Sequence, residues 1–344
     1  MSADMDGLDT REQILAHLRG DRDFVLAAHE GPDGDAIGSL VAMQGLLVAL
    51  GKRSEMFISP NDLPLPREYR NFPLEGLIEQ PPSDIATRTV VFLDCGNIDR
   101  NSAAVLRDGA RLLNIDHHHD NTRFGTIDYV RPTASCTAEI VWELMRELGV
   151  SPTPLMAEAL YVGLITDTGR FMYENTGPAA HRMAAELIEA GVQVPLVYKR
   201  LYEDMPTGKL KLLAMALARL QRFDEGTVTM ASLSAEDFAT AHAEESYSEG
   251  IIDHLRALQG TKVAVLVREL SSGERAGQRK ISLRATDDDV DVSVIARAQG
   301  GGGHRRAAGF TTSLGEDELE AFLREAIAAQ LQEAPDGQPA AAPA

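Results

Sequence analysis

Apolar positions along this chain fall into two rhythms. Unbroken apolar runs at FVLAAH (24–29), RTVVFLDCG (88–96) and ARLLNIDHH (110–118) read as buried strands. Apolar residues spaced three and four apart at 10–19, 36–51, 136–149, 154–166 and 181–191 read as helices. Thr10 is placed to cap the first helix and Gly51 to end the second. Strands alternating with helices predict an α/β domain built on a parallel sheet. From Val194 the pattern turns helical, with Pro195 and Pro206 as punctuation. Strand-like runs then return at 226–233, 262–270 and 278–285, the signature of a second, smaller α/β domain. The predicted division is a first domain over 10–193, a helical linker over 194–222, a second domain over 223–331 and a disordered, Ala/Pro-rich tail over 332–344.

Composition narrows the classes. The 344 residues suffice for two domains, and 44% hydrophobic with 25% charged residues is ordinary for a globular protein. A net charge of −19 argues against a general binder of long duplex nucleic acid, which must neutralise phosphates with Lys and Arg. Cys95 and Cys136 are far apart and form no C-x-x-C pair, which predicts a reducing interior rather than a disulfide framework. The N-terminus MSADMDGLD has no apolar segment of the signal-peptide kind, and the apolar run from Ser39 to Leu50 is too short to span a bilayer. A cytoplasmic protein that does not engage membranes is expected.

The ends of the apolar elements carry the chemistry. The first strand runs into His29 and a loop with Asp33 and Asp35; the second runs into Asp94. The third runs into Asp116, His117, His118 and His119, and the helix 154–166 runs into Asp167. Taken singly, each reads better as a turn former or helix cap. Jointly they differ, because ligands collect at the carboxyl edge of an open parallel sheet. Carboxylates crowded there repel one another unless cations intervene. A donor set of mostly carboxylate with some imidazole suits Mn²⁺ or Mg²⁺ better than a structural zinc. Two such ions, about 3.5–4 Å apart, suit in-line attack on phosphorus.

H-x-x-x-D-x-D at 29–35, Asp94 after a strand, D-H-H-x-x-N at 116–121 and D-T-G at 167–169 resemble the DHH phosphoesterase family. GGGHRRAAG (301–309) resembles the signature of that family's DHH-associated C-terminal domain, so the likeness covers residues 10–330. It is closest to the small two-domain members, nanoRNA phosphodiesterases that also act on 3′-phosphoadenosine 5′-phosphate. The resemblance implies two Mn²⁺ ions, with Mg²⁺ or Co²⁺ as alternatives. It places His29 and Asp33 on one ion, Asp35, His117 and Asp167 on the other, and Asp94 between them. It gives His118 a contact to the scissile phosphate and Asp116 the task of orienting an imidazole. His119 falls at a variable position of the motif. The site is implied to lie in a cleft between the domains, and the assembly to be a homodimer.

The window 261–310 holds nine Lys or Arg against six Asp or Glu, a net +3 in this acidic chain. Its glycines, Gly301, Gly302 and Gly303 among them, read as a loop whose backbone N–H groups approach a phosphate. The resemblance maps the substrate contacts onto His304 and Arg284. The expected partners are short RNA oligonucleotides and small nucleotides, pApA and 3′-phosphoadenosine 5′-phosphate included. A cyclic di-AMP phosphodiesterase shares this chemistry. An inorganic pyrophosphatase shares the first-domain motifs but not the GGGH segment, and a non-catalytic RNA-binding protein would not need the intact ligand set.

Overall fold

The computed structural model describes residues 9–203, 205–270 and 276–333. The chain divides into two compact units, residues 1–204 and 205–344. In the first, β1 (Asp23–Ala27), β2 (Arg53–Phe57), β3 (Leu77–Ile78), β4 (Thr89–Leu93), β5 (Arg111–Asp116) and β6 (Ile127–Val130) form one sheet in the order β3-β2-β1-β4-β5-β6. Every pairing in it is parallel, as the alternating pattern predicts. The order reverses between β1 and β4, so the carboxyl ends of those two strands flank the topological switch point. The helices of this unit are α1 (Thr10–Gly20), α2 (Gly34–Ala49), α3 (Thr137–Glu147), α4 (Pro154–Asp167), α5 (Pro178–Glu189) and α6 (Val194–Tyr198).

Helix α2 is buried nearly all round its first three turns, from Gly34 to Met43, and α4 is almost as deeply buried. They cross closely because small residues line the contact. A Cβ on Gly38 would lie 2.3 Å from the Ala159 carbonyl, and one on Gly163 would lie 2.9 Å from Asp35 Oδ1. That crossing brings Asp35 from the start of α2 toward Asp167 at the end of α4.

The second unit holds α7 (Thr207–Ala218), β7 (Gln221–Phe223), β8 (Val228–Leu233), α8 (Ala235–Ala241), α9 (Ile251–Arg256), β9 (Val263–Glu269), β10 (Arg279–Ala285), α10 (Val292–Ala298), β11 (Gly302–His304), β12 (Ala307–Thr312) and α11 (Glu316–Glu333). Its sheet runs β11-β12-β10-β9-β8-β7, antiparallel except between β8 and β9.

Several local expectations are corrected. The cap of α1 is Asp9, whose Oδ1 accepts from Glu12 N at 2.8 Å, while Thr10 is already helical. The segment read as a linker over 194–222 divides: α6 falls in the first unit, and α7 packs beside α8 and β8 in the second. Gly302–His304 is a strand paired with β12 rather than a loop. Gln332 and Glu333, expected in the tail, end α11, and the rest of the tail (334–344) lies outside the described residues, as do residues 1–8. No helix of the described residues is long and apolar enough to cross a membrane.

Candidate active site

The first unit gathers His29, Asp33, Asp35, Asp94, His117 and Asp167, with Asp116 and His118 beside Asp94. His29 follows β1 and offers Nε2. Its Nδ1 lies 2.8 Å from the Glu30 carbonyl, an acceptor only, so that nitrogen carries a hydrogen and Nε2 is the one turned to the carboxylates of Asp33 and Asp94. Asp33 caps α2 through Oδ1, which accepts from Asp35 N and Ala36 N at 3.0 and 3.1 Å. Asp35 is buried and receives the start of α3: Thr137 N donates to Oδ2 at 2.7 Å and Ala138 N to Oδ1 at 2.9 Å. Asp94 follows β4 and accepts from Thr137 Oγ1 at 3.0 Å.

Nitrogen and oxygen are spaced here in a way hydrogen bonding does not explain. His117 Nε2 stands 3.9 Å from Asp35 Oδ2, 3.6 Å from Asp94 Oδ1 and 3.7 Å from Asp167 Oδ2. His29 Nε2 stands 3.5 Å from Asp94 Oδ2 and 3.8 Å from Asp33 Oδ1. Nearly all of these are too long for a hydrogen bond. Ligand atoms each about 2.1 Å from one ion stand roughly 3–4 Å apart. The spacing therefore fits one divalent cation among His29, Asp33 and Asp94 and another among Asp35, Asp94 and His117, with Asp167 adjoining the second through His117. Asp94 turns one oxygen to each group.

Protonation agrees with that fit. Burial pushes the Asp35 carboxyl well above its ordinary range, and the charges of Asp94 and Asp167 push the same way. Asp167 is likewise raised, by burial and then by Asp94 and Asp33. Cations in this space would remove the repulsion. Asp116 behaves oppositely. Burial opposes its charge, yet the His118 imidazolium holds it well below the usual carboxylate range. Burial also opposes the charge on His118, but Asp116 Oδ1, 2.7 Å from His118 Nδ1, raises it to about 10. Asp116 Oδ1 further accepts from His117 N at 2.8 Å, and Oδ2 from Asn121 Nδ2 at 2.5 Å. His119 is exposed.

Two contributors carry no motif signal. Thr137 serves Asp35 and Asp94 at once, and Asn175 Nδ2 donates to Asp167 Oδ2 at 3.0 Å. In the second unit, Arg284 is half-buried on β10, donates to the Leu283 carbonyl at 3.0 Å, and has no carboxylate partner among the described residues. Its basic neighbours differ. Lys262 pairs with Asp287 and Asp289, and Arg305 and Arg306 pair with Asp288. The glycines are required by backbone crowding: a Cβ on Gly301 would lie 2.1 Å from the Gly309 carbonyl, and one on Gly303 2.5 Å from that of Ala307. Gly302 and His304 pair with Gly309 and Ala307 across the hairpin.

Comparison with known proteins agrees with this layout. Residues 23–164 match the N-terminal domain of the DHH family, and residues 228–333 match the DHHA1 domain. The chain is 35% identical over 94% of its length, and 94% of the relative's, to the bifunctional oligoribonuclease and PAP phosphatase NrnA of Thermus thermophilus. It is 26% identical to the protein of the same name from Bacillus subtilis, covering 83% of this chain and 88% of that one. An exopolyphosphatase-related protein from Bacteroides fragilis shares the fold with a TM-score of 0.82, at 21% identity over 94% of this chain and 97% of that one. A DHH domain at the switch-point cluster, a DHHA1 domain after it and relatives matched over nearly their whole length make one case: the chain belongs to the DHH family of phosphoester-hydrolysing enzymes.

Proposed function

We propose that the chain is a Mn²⁺-dependent hydrolase that cuts oligoribonucleotides of a few residues to mononucleotides and removes the 3′-phosphate of 3′-phosphoadenosine 5′-phosphate. One observation carries the chemistry: Asp94 lies between two ligand groups, with Oδ2 3.5 Å from His29 Nε2 and Oδ1 3.6 Å from His117 Nε2. His29 and Asp33 would hold one ion, and Asp35, His117 and Asp167 the other, with Asp94 shared. When bound, such a pair lowers the pKa of water and neutralises phosphate oxygens. The chain's own part is to orient and to move protons. Asp116 keeps His118 protonated, so its second ring nitrogen can donate to a phosphate oxygen or to the leaving oxygen. Arg284, with no carboxylate partner among the described residues, offers a cation to a second phosphate or a base, and His304 lies two strands away, both paired to Ala307 of β12.

The names of the relatives support the substrate class, and their near-full coverage supports carrying it to this chain. The test is a side-by-side Mn²⁺ assay on pApA, a trinucleotide RNA, 3′-phosphoadenosine 5′-phosphate, cyclic di-AMP and pyrophosphate. Turnover of the first three is expected. Turnover of pyrophosphate alone, or of cyclic di-AMP alone, overturns the proposal.

A further inference from the structure

The loop between β1 and α2 must hold His29 and Asp33 at a fixed distance from Asp94, yet Glu30, Gly31 and Asp33 are exposed to solvent. We infer that Asp62 is the positioning residue that sets this distance. Gly31 sits at φ 61°, and its N–H donates to Asp62 Oδ1 at 2.8 Å. The other oxygen, Asp62 Oδ2, accepts from Ser102 Oγ at 2.9 Å. Ser102 opens the 3₁₀ turn Ser102–Leu106, on the segment that follows β4 and Asp94. Its neighbour Asn101, buried, donates Nδ2 to the Ala28 carbonyl at 3.3 Å and accepts from Ala103 N at 2.8 Å. The loop is therefore gripped at Ala28 and at Gly31, on either side of His29. Both grips lead to residues 101–102, downstream of Asp94. Beside these hydrogen bonds, Pro32 is buried and shares a recess with Leu40, Phe57 and Ile58, so the polar grips act together with apolar packing under the loop.

Asp62 belongs to none of the ligand-bearing motifs. Its geometry asks for two hydrogen bonds and not for a charge. An amide makes the same two: its oxygen accepts from Gly31 N–H, and its NH₂ donates to Ser102 Oγ, which can also accept. Position rather than charge should decide the variants.

This inference rests on the two-ion reading, and the experiment separates them. Mn²⁺ is titrated calorimetrically into the full chain, and activity on pApA is measured across Mn²⁺ concentrations. Wild type should take up two ions; fewer than two sinks the two-ion reading and this inference with it. Asp62→Ala should keep one ion at wild-type affinity and bind the other about 10- to 100-fold more weakly, as loss of a supporting partner does, with kcat recovering at high Mn²⁺. Asp62→Asn should stay within about threefold of wild type, both hydrogen bonds being kept. Ser102→Ala cuts only the anchor and should weaken the same ion roughly 3- to 10-fold, about one hydrogen bond; it carries the test if Asp62→Ala does not fold. Wild-type affinity for both ions in Asp62→Ala and Ser102→Ala overturns the inference. So does an Asp62→Asn as impaired as Asp62→Ala, which would point to charge.

Discussion

Asp94 adopts φ 57°, a left-handed backbone that a non-glycine residue rarely takes. Such an outlier persists when its surroundings over-determine it, and it often marks a functional position. Here Asp94 N donates to the Ile115 carbonyl at 3.1 Å, and Thr137 fixes the side chain. Asn in place of Asp keeps the size but removes one anionic oxygen from the pair facing His29 and His117. Asp94→Asn should therefore weaken both ions and lower kcat on every substrate by several kcal/mol, roughly a thousandfold or more. Calorimetry with Mn²⁺ and rates on pApA check this; two ions bound normally with near-native turnover would remove Asp94 from its shared role. The adjacent histidines make a second contrast. His118 spends its Nδ1 on Asp116 at 2.7 Å, nearer than the 3.6 Å that separates the same atom from Asp94 Oδ1, so His118→Ala should lose about 10²- to 10⁴-fold in kcat while Mn²⁺ binding persists. Exposed His119→Ala should change little. Equal losses at both positions would show that the register of roles along His117–His119 is misread.

At the scale of elements, the site depends on how closely α2 and α4 approach. Gly38→Ala puts a methyl 2.3 Å from the Ala159 carbonyl, on backbone that cannot rotate away. The helices must part, which should cost about 1–3 kcal/mol, lower the melting temperature by roughly 2–10 °C and weaken the ion shared by Asp35 and Asp167. A thermal melt with and without Mn²⁺ reads both effects; an unchanged Mn²⁺ affinity would mean the crossing does not set the Asp35–Asp167 spacing. These elements were legible in the sequence, because α2 and α4 are long apolar helices and β1, β4 and β5 are near-continuous apolar runs ending in a ligand-type residue. Most strands that escaped notice are poorly patterned; β12 alternates cleanly in burial, but its first residues fall within the glycine-rich motif. In β2 only Met56 and Phe57 of RSEMF are buried; β3 has two residues; β6 and β7 are short. GGGH read as a loop because glycine carries no strand propensity, yet the close approach of Gly309 and Ala307 demands it there. Thr137 and Asn175 were silent for another reason: each serves a residue distant in sequence, and no local spacing marks that.

The whole molecule carries −19, yet its two units meet anions in different ways. In the second, Asp287, Asp288 and Asp289 neutralise Lys262, Arg305 and Arg306, while Arg284 has no carboxylate partner among the described residues. Arg284→Ala should cost about 2–4 kcal/mol in kcat/KM on pApA, roughly 30- to 1,000-fold, with less loss on bis-p-nitrophenyl phosphate and none in Mn²⁺ affinity. In the first unit, the repulsion between crowded carboxylates makes stability depend on pH and metal together. Asp35 and Asp167 have folded pKa values raised above the unfolded carboxylate value of about 3.9. A raised acid binds more protons when folded than when unfolded. The metal-free protein therefore loses stability as pH rises from that unfolded value toward the raised folded ones. Bound divalent cations replace those protons and cancel the loss, so ion affinity rises with pH. The gap in melting temperature between Mn²⁺-loaded and chelator-stripped protein should widen from pH 5 to pH 8. Asp167→Asn separates the two contributions. Asp167 receives Asn175 on one oxygen, which an amide oxygen can replace, whereas Asp35 uses both oxygens for backbone N–H donors. Stripped of metal at pH 8, Asp167→Asn should melt higher than wild type, because one repelling charge is gone. With Mn²⁺ added it should gain little, because a ligand is gone too. A variant that melts lower than wild type without metal would show that Asp167 is held by favourable contacts rather than strained against its neighbours, and the case for a cation between them would lose its electrostatic support.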